Sequence, residues 1–140
     1  MARKIIYVVA FIGLSLAVLA YVVTRPGELV TPTGSGTVTV DGQTFEAFPL
    51  PDYVTSIAGG DYLSYLIEVE PGIKIHMLEV GRGFPLFLQH GNPTSGLLYR
   101  KVAEALGADQ FRIIMPTLAG LGFSSKIPAH QHTVENHVRW

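Results

Sequence analysis

The chain reads Pro85-Leu86-Phe87-Leu88-Gln89-His90-Gly91-Asn92-Pro93-Thr94-Ser95 at the point that decides its fold. The first five of these residues are almost all apolar, which is typical of a strand buried on both faces of a parallel sheet. Gly91 and Pro93 then interrupt the run, and the hydroxyl of Thr94 or Ser95 can cap a following helix. The stretch therefore predicts a buried strand, a short loop and the start of a helix.

The helix is expected to end at Gly107, because glycine readily adopts the left-handed conformation that closes a helix. A second apolar strand is predicted at Phe111 to Met115. A strand, a helix and a strand in this order make a parallel pair joined by a crossover. A further helix is predicted to begin at Thr133, whose hydroxyl can cap it. The expected apolar stripe of the first helix comprises Leu98, Val102, Ala105 and Leu106.

Antiparallel structure is expected before this unit. Tyr65 to Val69 and Ile73 to Val80 flank the turn sequence Pro71-Gly72 and so predict a hairpin. A shorter hairpin is predicted around Asp41-Gly42, because this pair supplies the positive φ angles of a type I′ turn. Pro49 to Gly60 is interpreted as a connector. The fold class is therefore α/β, with an antiparallel hairpin leading into a parallel βαβ unit.

The N-terminus carries a long apolar run. Ile5 to Val23 contains no charged residue, and about 20 apolar residues can cross a bilayer as a transmembrane helix. Arg3 and Lys4 precede the run and should remain cytoplasmic, which places everything after Val23 outside the cytoplasm. Residues 1–24 are therefore interpreted as a membrane anchor or an uncleaved signal. Val18-Leu19-Ala20 is also a passable signal-cleavage site, and cleavage there would give a secreted protein.

Composition excludes several classes of function. Lys and Arg number 10 against 11 Asp and Glu, so no basic excess favours binding to nucleic acid. The chain has no cysteine, which excludes disulfides and cysteine-ligated metals. His130, His132 and His137 have no carboxylate-rich ligand set around them and straddle a loop and a helix start. They are interpreted as solvated histidines, and neither a metal nor an organic cofactor is expected.

The loop at residues 90–95 is the candidate site. Ligands of open α/β sheets bind at the carboxyl ends of strands, where this loop is expected to lie. Gly91 lets the backbone turn sharply, which leaves the Asn92 N–H free of secondary-structure pairing, next to the two donors of its side-chain amide. Donors aimed at one point suit a developing anion, such as an oxyanion or a departing halide. His90 is expected to be structural and to bond neighbouring backbone.

At these residues the chain resembles the α/β-hydrolase superfamily and, within it, the haloalkane dehalogenases. The resemblance covers about Leu63 to Trp140, and its most specific part is His90-Gly91-Asn92-Pro93-Thr94-Ser95. Further matching segments are Tyr99-Arg100, Pro116 to Gly122, Ser124 or Ser125 with Lys126, and His132 to His137.

By this resemblance, Asn92 stabilises a leaving halide and contributes its N–H to the oxyanion hole, while His90, Gly91 and Pro93 shape the loop. The resemblance also implies an Asp nucleophile, an acid and a base, which hydrolyse a small apolar organic substrate through a covalent ester. No G-x-S-x-G elbow, nor the same pattern with Asp, occurs in the sequence. Residues 61–140 are therefore interpreted as the N-terminal part of an incomplete α/β-hydrolase domain, behind a linker with a short hairpin at residues 25–60. The chain alone is predicted to be inactive.

Two features leave alternatives open. Many relatives carry Asp where this chain has Thr117, so an ionised contact of that loop is expected to be absent. The loop Pro116 to Ser124 also resembles that of epoxide hydrolases, some of which have an N-terminal membrane anchor, although they usually carry an aromatic residue at the place of Asn92. A membrane-anchored epoxide hydrolase fragment and a non-catalytic truncated product are therefore the alternatives.

Overall fold

The computed structural model describes residues 2–24 and 27–140, which form a six-stranded sheet with helices around it. Arg25 and Pro26, at the start of the predicted linker, lie outside the described residues, as do the side chains of residues 2–6, 8 and 9. The helices are α1 (Ala2–Thr24), α2 (Asp52–Ala58), α3 (Arg100–Leu106) and α4 (Val134–Arg139), with 3₁₀ turns at Gly96–Tyr99 and Ala129–Gln131. The strands are β1 (Thr37–Val40), β2 (Gln43–Ala47), β3 (Leu63–Glu70), β4 (Ile73–Gly81), β5 (Phe84–Phe87) and β6 (Phe111–Thr117).

The sheet has the strand order β1-β2-β3-β4-β6-β5. Strands β5 and β6 are parallel, and every other neighbouring pair is antiparallel. The predicted parallel pair and the hairpin before it, which is β3–β4, are therefore confirmed. Since β6 lies between β4 and β5, the strand that precedes the candidate loop forms one edge of the described sheet.

The short hairpin at Asp41-Gly42 is present, and both turn residues have positive φ angles, of 49° and 79°, as a type I′ turn requires. Strand β2 pairs with β3, so the hairpin extends the main sheet. The connector predicted at Pro49 to Gly60 contains a helix, α2, in which Val54 and Ala58 are buried. The helix is seven residues long, which is too short to give a clear apolar period in the sequence.

Two apolar clusters occupy opposite faces of the sheet. Alternation along β4 separates them, because successive side chains of a strand point to opposite faces. One cluster comprises Val40, Tyr65, Ile73, Ile75, Met77, Ala119 and Ile127. The other comprises Leu78, Ala103, Ile113 and Met115, and it joins α3 to β4 and β6. Strands β4 and β6, which support the candidate site, are therefore packed on both faces.

Helix α3 packs only in part through the face that the sequence predicts, since Leu106 lies against the apolar cluster but other members of the stripe do not. Leu98 and Val102 are 50% and 45% exposed. Ala103 is buried instead, and Leu97 packs beside it. The chain first makes a 3₁₀ turn at Gly96–Tyr99, and its three residues per turn shift the phase of the apolar face relative to an α-helix.

The ends of the helices agree with the sequence at two points and differ at a third. Gly107 ends α3 with a φ angle of 81°, and Thr133 caps α4 by accepting an N–H of its first turn. The predicted cap at the start of α3 is wrong. Ser95 makes no capping bond through its side chain, and the Thr94 hydroxyl donates to the Gly91 carbonyl instead.

Strand β5 is less buried than predicted. Phe84 and Phe87 are 67% and 62% exposed. Among the described residues, β5 pairs with β6 alone, so its outer edge has no neighbouring strand and its side chains are poorly covered.

The N-terminal helix α1 is exposed at every residue from Ala10 to Thr24. In the part of the chain that the structure describes, no helix combines the length and the apolar character needed to span a lipid bilayer. The structure therefore does not support the transmembrane helix predicted at Ile5 to Val23.

Candidate active-site loop

Two loops meet at the end of the sheet where the parallel strands β5 and β6 finish. Residues 88–95 follow β5 and residues 118–128 follow β6, and because these strands are parallel, both loops leave from carboxyl ends. Strand β4 begins at the same edge, since His76 pairs with Thr117. The candidate loop therefore lies at the edge where α/β sheets bind their ligands.

His90 is buried and holds the two loops together. Its Nε2 accepts a hydrogen bond from the Leu118 N–H at 3.0 Å, so Nε2 carries no proton. Nδ1 therefore holds the proton and donates to the Gly91 carbonyl oxygen at 2.9 Å. A neutral imidazole thus satisfies backbone groups of both loops, which is the structural role expected of this residue.

Asn92 is exposed at the tip of the loop. Within the described residues, neither its backbone N–H nor its side-chain amide donates a hydrogen bond to the protein. Its surroundings are fixed by contrast, because the Thr94 N–H and hydroxyl both donate to the Gly91 carbonyl, at 3.0 and 2.7 Å. Asn92 therefore presents unused donors on a loop with a rigid base, and such donors can bind an anion.

The loop position that requires glycine is Gly96, five residues after Gly91, where the sharp turn of the backbone was predicted. A side chain at Gly91 would meet open space, and its φ angle is not in the left-handed region. At Gly96, a Cβ atom would lie 2.6 Å from the Met115 carbonyl oxygen, so no larger residue fits without movement of the backbone. Pro93, the other residue expected to shape the loop, is exposed and follows Asn92 through a cis peptide bond.

Thr117 supplies a hydrogen-bond acceptor at the end of β6. Its Oγ1 lies 3.1 Å from the Gly96 nitrogen, which donates to it, and both residues are buried. A neutral hydroxyl therefore satisfies this N–H, and no ionised group is needed there. The sequence marked Thr117 only as a departure from its relatives, whereas the structure makes it a support of the candidate loop.

Replacement of Thr117 by valine is expected to lower the free energy of unfolding by about 1–3 kcal/mol, because the Gly96 N–H would stay buried without a partner. Denaturant unfolding followed through the fluorescence of Trp140, the only tryptophan, measures the change. Thr117→Ser is the control, since it keeps the hydroxyl and loses a methyl group worth about 0.8 kcal/mol. Equal stability of the valine variant and the wild type, with unchanged hydrogen exchange at Gly96, would contradict this assignment.

Two buried serines fix the loop after β6 to β4. Ser124 Oγ accepts the His76 N–H at 2.9 Å and donates to the Thr117 carbonyl at 2.6 Å. Ser125 Oγ accepts the Lys74 N–H at 2.9 Å. These hydroxyls continue the pairing of β4 beyond the end of β6, so the loop that contacts His90 is itself held in place.

An apolar cavity of about 340 Å³ lies beside the two loops. Its walls include Met77 of β4, Phe87 and Gln89 near the end of β5, and Trp140 after α4. The indole Nε1 of Trp140 donates to Glu70 at 3.0 Å, which fixes the ring against the end of β3. The apolar lining suits a small uncharged organic group.

The C-terminal histidines differ in exposure. His130 and His132 are exposed, as expected, but His137 is half-buried and lines the cavity. Burial and the nearby charge of His132 lower the pKa of His137, whose Nδ1 has no hydrogen-bond partner among the described residues. His137 therefore favours its neutral form. In residues 2–24 and 27–140, no group of three His, Asp or Glu side chains could hold a metal ion.

Comparison with known proteins finds similarity to one protein family over part of the chain. Residues 85–140 match the family model described as alpha/beta hydrolase fold. Haloalkane dehalogenase 2 of Mycobacterium tuberculosis (strain ATCC 25618 / H37Rv) is 38% identical over 66 residues, which are 47% of this chain and 23% of the relative. The soluble epoxide hydrolase of Corynebacterium sp. (strain C12) is 47% identical over 55 residues, which are 39% of this chain and 19% of the relative.

A solved structure gives the same result. The haloalkane dehalogenase DatA from Agrobacterium tumefaciens C58 is similar over 61% of this chain and 28% of its own, with a TM-score of 0.53 and 36% identity. The match thus covers less than a third of these relatives' lengths. Over this part, the chain is similar to α/β hydrolases. More narrowly, it is similar to haloalkane dehalogenases, so the resemblance inferred from residues 90–95 is confirmed.

Proposed function

We propose that the chain supplies the halide- and oxyanion-binding loop of an α/β-fold hydrolase of the haloalkane dehalogenase type. The observation that carries the proposal is Asn92, which is exposed with its donors unused in the described residues, on a loop that His90 fixes. A departing halide or a developing oxyanion would accept hydrogen bonds from these donors. Small haloalkanes are the first choice of substrate.

The proposed reaction passes through a covalent ester. A carboxylate nucleophile displaces the halide from carbon and forms the ester, and a base then activates water to cleave it. Asn92 stabilises negative charge in both steps, on the leaving halide and then on the oxyanion. Residues 1–140 contain no elbow motif around Ser or Asp. By themselves they are therefore expected to bind a halide without turning over substrate.

Bromide is expected to shift the backbone and side-chain amide signals of Asn92 in a saturable way when it is added to the ¹⁵N-labelled full chain. Asn92→Ala removes the side-chain donors, so the remaining loop signals should need at least about tenfold more bromide, since a hydrogen bond to a charged group contributes about 1.5–3 kcal/mol. Gln110→Ala is the matched control, because Gln110 lies just before β6, at the end of the sheet opposite to Asn92. Equal shifts with sulfate at matched ionic strength would argue against a halide site.

A halide-release assay tests the expected lack of turnover. Purified full chain with small haloalkanes should release no more halide than a matched blank. Release above the blank that disappears in Asn92→Ala would show that residues 1–140 are active and that Asn92 takes part in the reaction.

Epoxide hydrolysis is the second candidate, and the identity of 47% to the Corynebacterium enzyme over 55 residues favours it. Opening of an epoxide leaves an alkoxide on the product and releases no halide. Saturable bromide binding at Asn92 therefore favours dehalogenation, and its absence favours epoxide hydrolysis.

We propose in addition that the N-terminal segment anchors the chain to a membrane, with the sheet outside the cytoplasm. Ile5 to Val23 contains no charged residue, and the residues from Ala10 to Thr24 are exposed. A run of exposed apolar side chains favours an apolar surrounding over water. Arg3 and Lys4 favour the cytoplasmic side for the start of the run.

The full chain, expressed in a bacterium, is expected to sediment with membranes and to resist extraction with alkaline carbonate. Leu14→Asp combined with Leu16→Asp should release it, because transfer of a carboxylate from water to an apolar surrounding is strongly unfavourable. Leu14→Ala with Leu16→Ala is the control. Release of the intact wild-type chain by carbonate would contradict the anchor, and a soluble, N-terminally processed chain would indicate a cleaved signal.

A further inference from the structure

The segment between α1 and the first hairpin crosses the edge of the sheet that carries the candidate loop. We call residues 27–36 the strap. The Val30 N–H donates to the Lys126 carbonyl at 2.9 Å, and the Lys126 N–H donates back to the Val30 carbonyl at 2.7 Å. The Thr31 hydroxyl donates to the Gly72 carbonyl at 2.6 Å. Lys126 follows β6 and Gly72 precedes β4, so the strap lies at the carboxyl ends of the parallel strands.

A second set of contacts fixes the strap to the sheet. Glu46 of β2 accepts the Gly34 N–H at 2.5 Å and pairs with the Lys74 ammonium at 2.5 Å. Lys74 also donates to the Pro32 carbonyl at 3.2 Å. A Cβ atom at Gly34 would lie 2.0 Å from the Ala47 carbonyl oxygen, so only glycine allows this approach. The strap is therefore part of the fold and has a defined position.

The strap limits where α1 can end. Gly27 follows Thr24 by three residues, and three residues span at most about 11 Å. Gly27 itself is beside Pro128, since a Cβ atom built on it would be 3.7 Å from the Pro128 Cα. The end of α1 is therefore close to the loop after β6. The other end of the sheet, where β6 begins, is about 20 Å away, because β6 has seven residues at about 3.3 Å each.

We propose that the strap turns the carboxyl edge of the sheet, with the Asn92 loop, toward the lipid bilayer, so that the site takes apolar substrates dissolved in the membrane. This inference rests on the proposed hydrolase function and on the proposed anchor. The strand β4 that the strap contacts and the strand β5 that leads to Asn92 are two strand spacings apart, which is about 10 Å. The bilayer that holds α1 would therefore lie within about one strand length of the loop.

Exposed apolar side chains at the same edge agree with a lipid partner. Leu29 and Val30 of the strap are 45% and 57% exposed, and Val69 at the end of β3 is 36% exposed. Leu29 lies against the β3–β4 turn, 3.2 Å from the position of a Cβ atom on Gly72. Apolar side chains are thus exposed at the end of the sheet that lies within chain reach of α1, and exposed apolar side chains favour acyl chains over water.

The absence of cysteine makes the orientation measurable, because each single cysteine variant carries one label. The full chain with Asn92→Cys or Asp109→Cys, both exposed positions, is labelled with nitrobenzoxadiazole and bound to phosphatidylcholine vesicles that contain nitroxide lipids. Asp109 lies at the opposite edge, just before β6. We expect the label at position 92 to be quenched at least threefold more than the label at position 109.

Equal quenching at the two positions, stronger quenching at 109, quenching at neither, or failure to bind vesicles would each overturn the proposal. Thr31→Val, which removes one strap bond, and Val30→Pro, which removes the N–H that pairs with Lys126, should both reduce the difference while the chain stays on vesicles. A full difference in both variants would show that the strap does not set the orientation. Bromide binding at Asn92 is measured without vesicles, so failure of the proposed function is recognised separately.

Discussion

Arg112→Met is expected to lower the free energy of unfolding by about 3–5 kcal/mol, because it leaves the Glu79 carboxylate buried without its partner. Glu79 is 7% exposed and accepts hydrogen bonds from Nε and Nη2 of Arg112. The Tyr65 hydroxyl donates to the same carboxylate at 3.1 Å. Burial, together with the charge of Glu79, raises the pKa of Tyr65, so this hydroxyl remains a donor. A single hydroxyl cannot replace the lost guanidinium charge.

The same arginine joins distant parts of the sheet. Its Nη1 pairs with Asp41 at 2.5 Å, which ties the turn of the first hairpin to β4 and β6. The variant should therefore loosen β1 and β2 first, and hydrogen exchange of Val38 and Phe45 should rise more than that of Met115.

Lys101→Met is the matched control, since it breaks an ion pair of 2.6 Å with Glu104 whose two side chains are largely exposed. Such a pair contributes about 0–1 kcal/mol. Guanidinium unfolding of both variants, followed by Trp140 fluorescence, gives the comparison. Adding Glu79→Gln to Arg112→Met should recover part of the loss, because a neutral amide costs less to bury than a carboxylate. Similar unfolding midpoints for Arg112→Met and Lys101→Met would show that the Arg112–Glu79 pair contributes no more to stability than an exposed ion pair.

The sequence predicted the parts of the fold that depend on neighbouring residues. Asp41-Gly42 specifies its turn through its own φ angles. The apolar runs at residues 85–89 and 111–115 predict a parallel pair of strands. Burial of β5 was predicted wrongly, since it depends on what lies beyond its outer edge. The face of α3 was predicted only in part, at Leu106, because a 3₁₀ turn at Gly96–Tyr99 precedes the helix and shifts the phase expected for a continuous α-helix.

The candidate site shows the same division. Asn92 and His90 were found because they occur together in one short motif. Gly96 and Thr117 were not found, since the hydrogen bond between them joins two loops that are far apart in sequence. Nothing local in residues 27–36 predicts a strap either, because its partners Lys126, Gly72 and Lys74 come from later parts of the chain. A glycine beside a threonine hydroxyl becomes recognisable only once the strands are placed.

Stability is expected to fall by up to about 3 kcal/mol as the pH decreases from 6.5 to 4, through His76 alone. Burial lowers the pKa of His76 from 6.5 to about 4, and the residue is 1% exposed. Its ring lies 5.3 Å from that of Phe48 and 5.4 Å from that of Phe123, so the imidazole is packed between aromatic rings that cannot solvate a charge as water does. The Ser64 hydroxyl donates to the Phe48 carbonyl at 2.6 Å, and it therefore accepts from His76 Nε2 at 2.9 Å.

The sign follows from proton binding. Between pH 6.5 and 4 the unfolded chain takes up a proton at His76 and the folded chain does not, so acid favours unfolding. The full contribution is present above pH 6.5 and is lost progressively as the pH approaches 4. The His76 N–H donates to Ser124 in the loop after β6, and this loop contacts His90 through Leu118. Unfolding in acid should therefore loosen the loop after β6 first and the candidate loop with it.

Unfolding of wild type, His76→Phe and His130→Gln at several pH values between 7 and 4 isolates this group. The phenylalanine ring keeps the aromatic packing and cannot titrate, so its difference from wild type should shrink or reverse as the pH falls, by about 3 kcal/mol over the range. His130→Gln is the control for replacing a histidine at an exposed position outside the aromatic cluster. A titration of the His76 ring protons by NMR gives the same information without a substitution.

Parallel stability curves for wild type and His76→Phe, or a His76 ring that titrates near pH 6.5 in the folded chain, would mean that the imidazole takes up its proton without leaving the aromatic cluster. Water or a carboxylate must then reach the ring, and the closed packing between Phe48 and Phe123 would have to open in solution.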